Sequence, residues 1–190
     1  MEGGRLLVIN VQLGNEKFEK INGVIYNMSP SADYRHGLIN LNIGRILSNQ
    51  LKNSLCLTFV ENLDWKYDEN NDDYVIPDVM LICDKNKIKK GQYLGIPKFI
   101  AETLSPSTAL KDKNIKKKLY SEKGVEEYWI VEPRSKSIEI YHLYGNEYQL
   151  VNYLLFIDDA SDSDYNADTV ITLKALPHIQ FCLAEIFENI

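Results

Sequence analysis

Two segments in the middle of the chain read as strands, and each has one carboxylate where an apolar residue is expected. The first is Tyr74-Val75-Ile76-Pro77-Asp78-Val79-Met80-Leu81-Ile82-Cys83, and the second is Pro97-Lys98-Phe99-Ile100-Ala101-Glu102-Thr103-Leu104. Alternate residues of a strand share a face. Asp78 therefore falls in a row with Ile76, Met80 and Ile82, and Glu102 in a row with Ile100 and Leu104. An unpaired carboxylate buried in such a row costs several kcal/mol or gives up its charge. Two of them in neighbouring strands call for a positive partner, and a divalent metal is the natural candidate.

The 190 residues fit one domain over 1–190 with a substantial core. Hydrophobic residues make up 45% and charged residues 25%, a balance that suits a globular domain. No apolar run approaches the roughly 20 residues needed to span a membrane. The opening stretch lacks the pattern of a secretory leader. Cys56, Cys83 and Cys182 are scattered, with no CxxC pair, so neither a zinc site nor a disulfide framework is expected. These features together predict a reducing, cytoplasmic location.

A net charge of −6 argues against a nucleic-acid partner, but its distribution argues the other way. Residues 85–123 hold 11 lysines and three acids, while the remainder of the chain carries a net −14. The basic stretch brackets Glu102 and begins just after Asp78, as a site acting on a polyanion would require. The bland alternative is a solvated lysine-rich surface.

Along the chain, Leu6–Leu13 reads as a strand and Lys17–Met28 as a hairpin turning at Asn22-Gly23. A cap-rich stretch from Met28 to Asp33 leads into a helix over Tyr34–Lys52, striped by Ile39, Ile43, Ile46, Leu47 and Leu51. Leu55–Glu61 is a short strand, followed by an acidic loop and the two carboxylate-bearing strands. Ser105-Pro106 starts a second helix that Gly124 ends. Strands are expected over Glu127–Val131, Ser137–Tyr144, Tyr148–Ile157 and Thr169–Leu173, with a closing helix over Phe181–Phe187. Such an order suggests a mixed sheet flanked by helices.

The second helix supplies a further candidate. Ile115 and Leu119 mark its buried face, and Asp112, Lys116 and Tyr120 lie in a row beside that face. Lysine at such a margin can run its stem over apolar surface and present its ammonium to a site. Asp78, Glu102 and Lys116 then form a set suited to phosphoryl chemistry. Hard oxygen ligands suit Mg²⁺ (or Mn²⁺), and lysine can stabilise developing negative charge.

These residues, with the run Glu102-Thr103-Leu104-Ser105-Pro106-Ser107-Thr108 and the run from Gly124 to Pro133, resemble the PD-(D/E)XK restriction-endonuclease-like superfamily. Within it, the chain resembles the Uma-type family of restriction endonucleases. Phe18–Ile25, Met28-Ser29-Pro30 with His36, Val170-Ile171, Ala175-Leu176-Pro177 and Ala184–Phe187 fit as well, so the likeness covers nearly the whole chain. The superfamily pattern places a lysine two residues after the glutamate, where this chain has Leu104; the Uma-type pattern carries it on the following helix, at Lys116.

The resemblance implies an α/β (α+β) restriction-endonuclease-like fold with a mixed central β-sheet. It implies Mg²⁺-dependent hydrolysis of DNA, with Asp78 and Glu102 on the metal, Glu19 supporting it and Lys116 as the relocated lysine. It also implies a homodimer, by analogy with nucleases that cut both strands. His36, Lys113 and Lys117 are candidate substrate contacts. Three of the site residues also have a simpler reading: His36 as a structural or capping residue, Lys116 as the helix partner of Asp112, Glu19 as a solvated hairpin residue. The rival for the whole is a catalytically silent nucleic-acid-binding or regulatory module on the same fold.

Overall fold

The computed structural model describes residues 17–28 and 33–190. The strand expected over Leu6–Leu13 and most of the cap-rich stretch before the first helix lie outside the described residues. Antiparallel strands β1 (Phe18–Ile21) and β2 (Val24–Asn27) form the expected hairpin. Its turn residues Asn22 and Gly23 have φ of 50° and 78°, the left-handed pair that a tight two-residue turn requires. Helix α1 (Tyr34–Gln50) starts at Asp33, whose side chain accepts the Arg35 backbone N–H.

The sheet is built from β3 (Leu57–Val60), β5 (Val79–Ile82), β8 (Phe99–Thr103), β9 (Glu127–Glu132), β10 (Ser137–Tyr144) and β11 (Glu147–Leu155). Two-residue strands β4 (Asp64–Trp65), β6 (Ile88–Lys89) and β7 (Gln92–Tyr93) form a small side sheet. The six-stranded order is β11-β10-β9-β8-β5-β3. Within it β8 and β9 run parallel and the other neighbours antiparallel. A parallel pair needs a crossover. Here the crossover carries a π-helical turn, Lys111–Lys116, that runs into α2 (Lys117–Glu122) and stops at Gly124, φ +86°. The chain ends in the hairpin β12 (Val170–Thr172) and β13 (Gln180–Cys182), then α3 (Leu183–Ile186). The closing helix is thus shorter than expected, because Phe181 and Cys182 pair as strand with Ile171 and Val170.

Strand alternation divides the core in two. Val79, Leu81, Phe99, Ala101, Trp129 and Val131 pack with Ile39, Ile43 and Leu47 of α1 and with Phe181 and Ile186. Met80, Ile82, Ile100, Tyr128 and Ile130 pack on the opposite face with Ile21, Trp65, Leu119 and Tyr120. Each large side chain buried in these layers contributes roughly 1.5–3 kcal/mol. Gly44 explains how closely α1 approaches: a Cβ there would stand 2.5 Å from Val60 Cγ2. Mid-helix glycine costs up to about 1 kcal/mol relative to alanine. Here it lets α1 settle on β3. His36 and Asn40 share that face at four-residue spacing, so the same contact holds them over the ends of β3 and β5.

Cys56 and Cys83 form a disulfide, which corrects the expectation from the sequence. They are 27 residues apart, a spacing with no pattern to it. Leu57 pairs with Ile82, so the antiparallel register sets the two cysteines opposite each other at the end of the ladder. Scattered thiols therefore no longer argue for a reducing compartment. Among the described residues, no helix is long and apolar enough to cross a membrane.

Candidate active site

Asp78 immediately precedes β5, and Glu102 lies within β8. Val79 pairs with Ala101 and Met80 with Ile100, so the same register places Asp78 opposite Glu102. Glu102 emerges on the face of Met80 and Ile100, where it meets Lys116 and Tyr120, as strand alternation predicts; Asp78, one residue short of β5, also reaches His36 of α1. The Asp78 backbone N–H approaches Glu102 Oε2 at 3.4 Å, and Asp78 Oδ2 accepts the Thr103 N–H at 2.8 Å. Glu102 is 1% exposed. Its Oε1 accepts from Lys116 Nζ at 3.0 Å and from the Tyr120 hydroxyl at 2.5 Å.

Lys116 is 3% exposed and lies at the end of the π-helical turn. Its ammonium also stands 2.7 Å from Glu19 Oε1 and 3.8 Å from Asp112 Oδ1. The widened turn carries Asp112 and Lys116 into the interior and leaves Ile115 only half-buried, which reverses the burial expected of a regular helix. Glu19, fully buried in β1, accepts the Ile76 N–H at 3.0 Å through Oε1 and pairs with Lys111 through Oε2. Asp112 Oδ1 is buried without a hydrogen bond among the described residues.

Three buried carboxylates, Glu19, Glu102 and Asp112, thus share two ammonium groups, Lys111 and Lys116, and a fourth, Asp78, lies beside them with His36 as its neighbour. The protonation equilibria reflect that excess of negative charge. Burial raises the Glu102 carboxyl well above its ordinary range, and Lys116 offsets this only in part, against Asp78, Asp112 and Glu19. Burial raises Asp112 too, again with Lys116 opposing. Burial also acts to raise Glu19, but Lys116 and Lys111 outweigh it and bring that carboxyl below its ordinary value. For Lys116, burial favours the neutral amine. Glu102, Glu19, Asp112 and Asp78 overcome it and hold the ammonium well above the usual lysine value.

A second group adjoins Asp78. His36 Nε2 lies 3.2 Å from Asp78 Oδ2, and His36 Nδ1 lies 3.6 Å from Glu61 Oε1. Burial lowers the His36 pKa, but the hydrogen bond and charge of Asp78, with the charge of Glu61, raise it overall. Asn40 joins these residues. Its Oδ1 accepts the Thr103 hydroxyl at 2.6 Å, and its Nδ2 reaches Glu61 Oε1 at 2.6 Å and His36 Nδ1 at 3.2 Å.

The structure therefore gathers Glu19, His36, Asp78, Glu102 and Lys116. Lys113 and Lys117 are not gathered. Lys113 Nζ pairs with Glu139 on β10 at 2.7 Å, and Lys117 Nζ sits 3.8 Å over the Tyr141 ring. Lys111, Asn40 and Glu61 are additions that sequence reasoning missed. Glu61 carried no local signal, since it reaches the site only through the pairing of β3 with β5.

Comparison with known proteins adds to this geometry. Residues 9–174 match the family Uma2, described as "Putative restriction endonuclease". One similar protein is the uncharacterized protein slr1290 of Synechocystis sp. (strain ATCC 27184 / PCC 6803 / Kazusa), 30% identical over 141 residues, covering 73% of each chain. Another, sll1609 of the same strain, is 29% identical over 143 residues, covering 74% of this chain and 80% of that one. Among solved structures, the crystal structure of a "putative nuclease belonging to DUF820" from Anabaena variabilis ATCC 29413 superposes with a TM-score of 0.65 at 16% identity, over 90% of this chain and 89% of that one.

Proposed function

Because this chain belongs to the Uma2 family and has the restriction-endonuclease-like fold, we propose that it is a divalent-metal-dependent endonuclease that hydrolyses phosphodiester bonds in DNA. The carboxylate excess carries this reading. With all four ionised, four buried carboxylates against two ammoniums leave two uncompensated negative charges, or one when His36 is protonated. When no ion is bound, the raised Glu102 and Asp112 carboxyls relieve this deficit by taking up protons. A divalent cation fits that deficit, and a carboxylate donor set suits Mg²⁺ or Mn²⁺.

Asp78 and Glu102 would hold the ion. Bound there, it would polarise the scissile phosphate and lower the pKa of a bound water. Lys116 remains charged and, in a water-poor setting, stabilises negative charge that develops on the phosphate oxygens. Glu19 supports the site by holding Lys116 and Lys111. The Tyr120 hydroxyl fixes the Glu102 carboxylate. Thr103, through its backbone N–H to Asp78 and its hydroxyl to Asn40, ties the two strands and α1 together. In the reaction a water oxygen attacks phosphorus, the bond to one ester oxygen breaks, and that oxygen leaves as an alcohol after taking a proton. Two copies of the chain would cut both strands.

Two contacts favour a second reading, a nucleic-acid-binding module without catalysis. Lys116 lies on Glu102 and His36 on Asp78, so each carboxylate already has a cationic neighbour. A cleavage assay with Mg²⁺ and with Mn²⁺ on supercoiled, linear and single-stranded DNA separates the two. The nuclease reading expects cleavage that chelation abolishes and that an Asp78→Ala, Glu102→Ala double variant lacks. Equal background from both proteins on every DNA form would favour the silent module.

A further inference from the structure

Resting on the reading of Asp78 as a metal ligand, we propose that His36, Glu61 and Asp78 form a second cation position beside the Asp78–Glu102 pair. A ring nitrogen of His36, an oxygen of Glu61 and an oxygen of Asp78 all lie within 4.8 Å of one another. His36 meets Asp78 through Nε2 and Glu61 through Nδ1, so an ion would take one ring nitrogen, and the half-exposed Glu61 side chain would have to swing to complete the set at metal bond lengths of about 2.0–2.2 Å. This donor set is chemically distinct from its neighbour. The Asp78–Glu102 pair offers oxygen alone, which suits Mg²⁺. An imidazole nitrogen shifts preference toward a first-row transition dication.

The fold builds the trio from three separate elements. The Glu61 N–H donates to the Asp78 carbonyl at 3.0 Å, which continues the β3–β5 ladder one step and holds the two side chains side by side. Glu61 adopts a left-handed φ of 52°, a conformation rare for a non-glycine residue, where the strand gives way to the turn. His36 arrives from the first turn of α1, which the Gly44–Val60 contact seats on β3. Asn40 is anchored by Thr103 and touches both Glu61 and His36, so it fixes their orientation from behind, as outer partners of metal ligands do. Asp78 then serves both positions.

The test counts ions and identifies their ligands, independently of cleavage. Mn²⁺ is titrated calorimetrically into the metal-free protein, and pulsed EPR then reads imidazole ¹⁴N coupling to the bound ion. The chain has three histidines, so His36→Gln assigns the signal. Glu61→Gln is the second variant; its half-exposed side chain can change without threatening the fold. The expected result is two Mn²⁺ per chain with nitrogen coupling. Each variant should fall to one ion, and His36→Gln should lose the coupling. Excess Mg²⁺ should displace the oxygen-only ion and leave the nitrogen-coupled one. One Mn²⁺, lost in Asp78→Asn but without nitrogen coupling, would overturn this second position and leave the proposed function standing. Nitrogen coupling that persists in His36→Gln would overturn it as well. Failure to bind Mn²⁺ at all would overturn both.

Discussion

The ammonium of Lys116 lies 3.0 Å from Glu102 Oε1 although the two residues are 14 positions apart, one on the helix and one on the strand before it. The position two residues after Glu102 is Leu104, which is buried among Ile100, Leu119 and Ile130. The positive charge at this carboxylate is therefore delivered from the crossover helix. Its delivery depends on the π-helical turn that buries Lys116.

Removing that charge tests how much the cluster depends on it. Lys116→Met keeps the apolar stem but leaves Glu19, Glu102 and Asp112 without their shared ammonium. Breaking a buried pair from one side costs about 3–5 kcal/mol. Urea unfolding in EDTA should show a loss of that size. Millimolar Mg²⁺ or Mn²⁺ should recover part of it, since an ion that binds only the folded state stabilises it by mass action. A loss below about 1 kcal/mol would mean that Lys116 does not compensate the carboxylates.

Tyr120→Phe is a narrower probe. The phenol is fully buried, and its hydroxyl donates to the same Glu102 oxygen as Lys116. Losing a hydrogen bond to a charged group costs about 1.5–3 kcal/mol. The ring still packs against Trp65 and Tyr128, so no large cavity forms. Thermal unfolding should shift down accordingly. Cleavage at saturating metal should fall while the number of bound ions stays unchanged.

Much of this arrangement was legible in the sequence because period-two patterning is a local property. Met80, Ile82, Ile100 and Leu104 share one face, on which Glu102 meets Lys116 and Tyr120, and Asn22-Gly23 and Gly124 turn the chain where expected; Ile76 and Asp78 precede the strand, and Val75 rather than Ile76 packs on that face. The rest depends on contacts that local pattern does not encode. The Cys56–Cys83 bridge follows from strand pairing, and the full burial of Lys116 from a non-α turn whose sequence, Lys-Asp-Lys-Asn-Ile-Lys, reads as a regular helix with Ile115 buried and Lys116 only at the margin. Glu61 joins the site only because β3 pairs with β5. Strands of two residues, such as β4, β6 and β7, are too short to show a period at all.

The pH dependence of stability follows from the same cluster in metal-free protein. Glu102 and Asp112 hold protons in the folded state that the unfolded chain has already released. Their stabilisation is fully present below the unfolded carboxylate value, 4.5 for Glu102, and is lost as pH rises through the raised folded value. Glu19 behaves oppositely, since its folded value is lowered; its contribution is lost as pH falls through that value. Glu102→Gln removes the largest component of the first kind. In EDTA, the slope of unfolding free energy against pH above 4.5 should therefore become more positive in the variant, by up to about 1.4 kcal/mol per pH unit. Identical slopes in urea titrations across this range would mean that Glu102 stays ionised in the folded protein.

Lys113 and Lys117 separate substrate binding from chemistry. Both lie against β10, and neither belongs to the carboxylate cluster. The Lys113–Glu139 pair is partly exposed and so is worth about 1 kcal/mol or less, and the Lys117 ammonium over Tyr141 contributes at a similar level. Alanine at either position should therefore leave the fold nearly as stable as before. If these lysines meet the phosphate backbone, as the basic segment 85–123 suggests, each contact releases about one counterion. Fluorescence anisotropy on a DNA duplex should then show weaker binding. The dependence of log affinity on log salt should flatten by about one unit per lysine removed. The cleavage rate at saturating DNA should be unchanged, because the groups proposed to hold the ion and meet the phosphate remain in place. A collapse of that rate would move these lysines into the reaction itself, and an unaltered salt slope would place the DNA on another face.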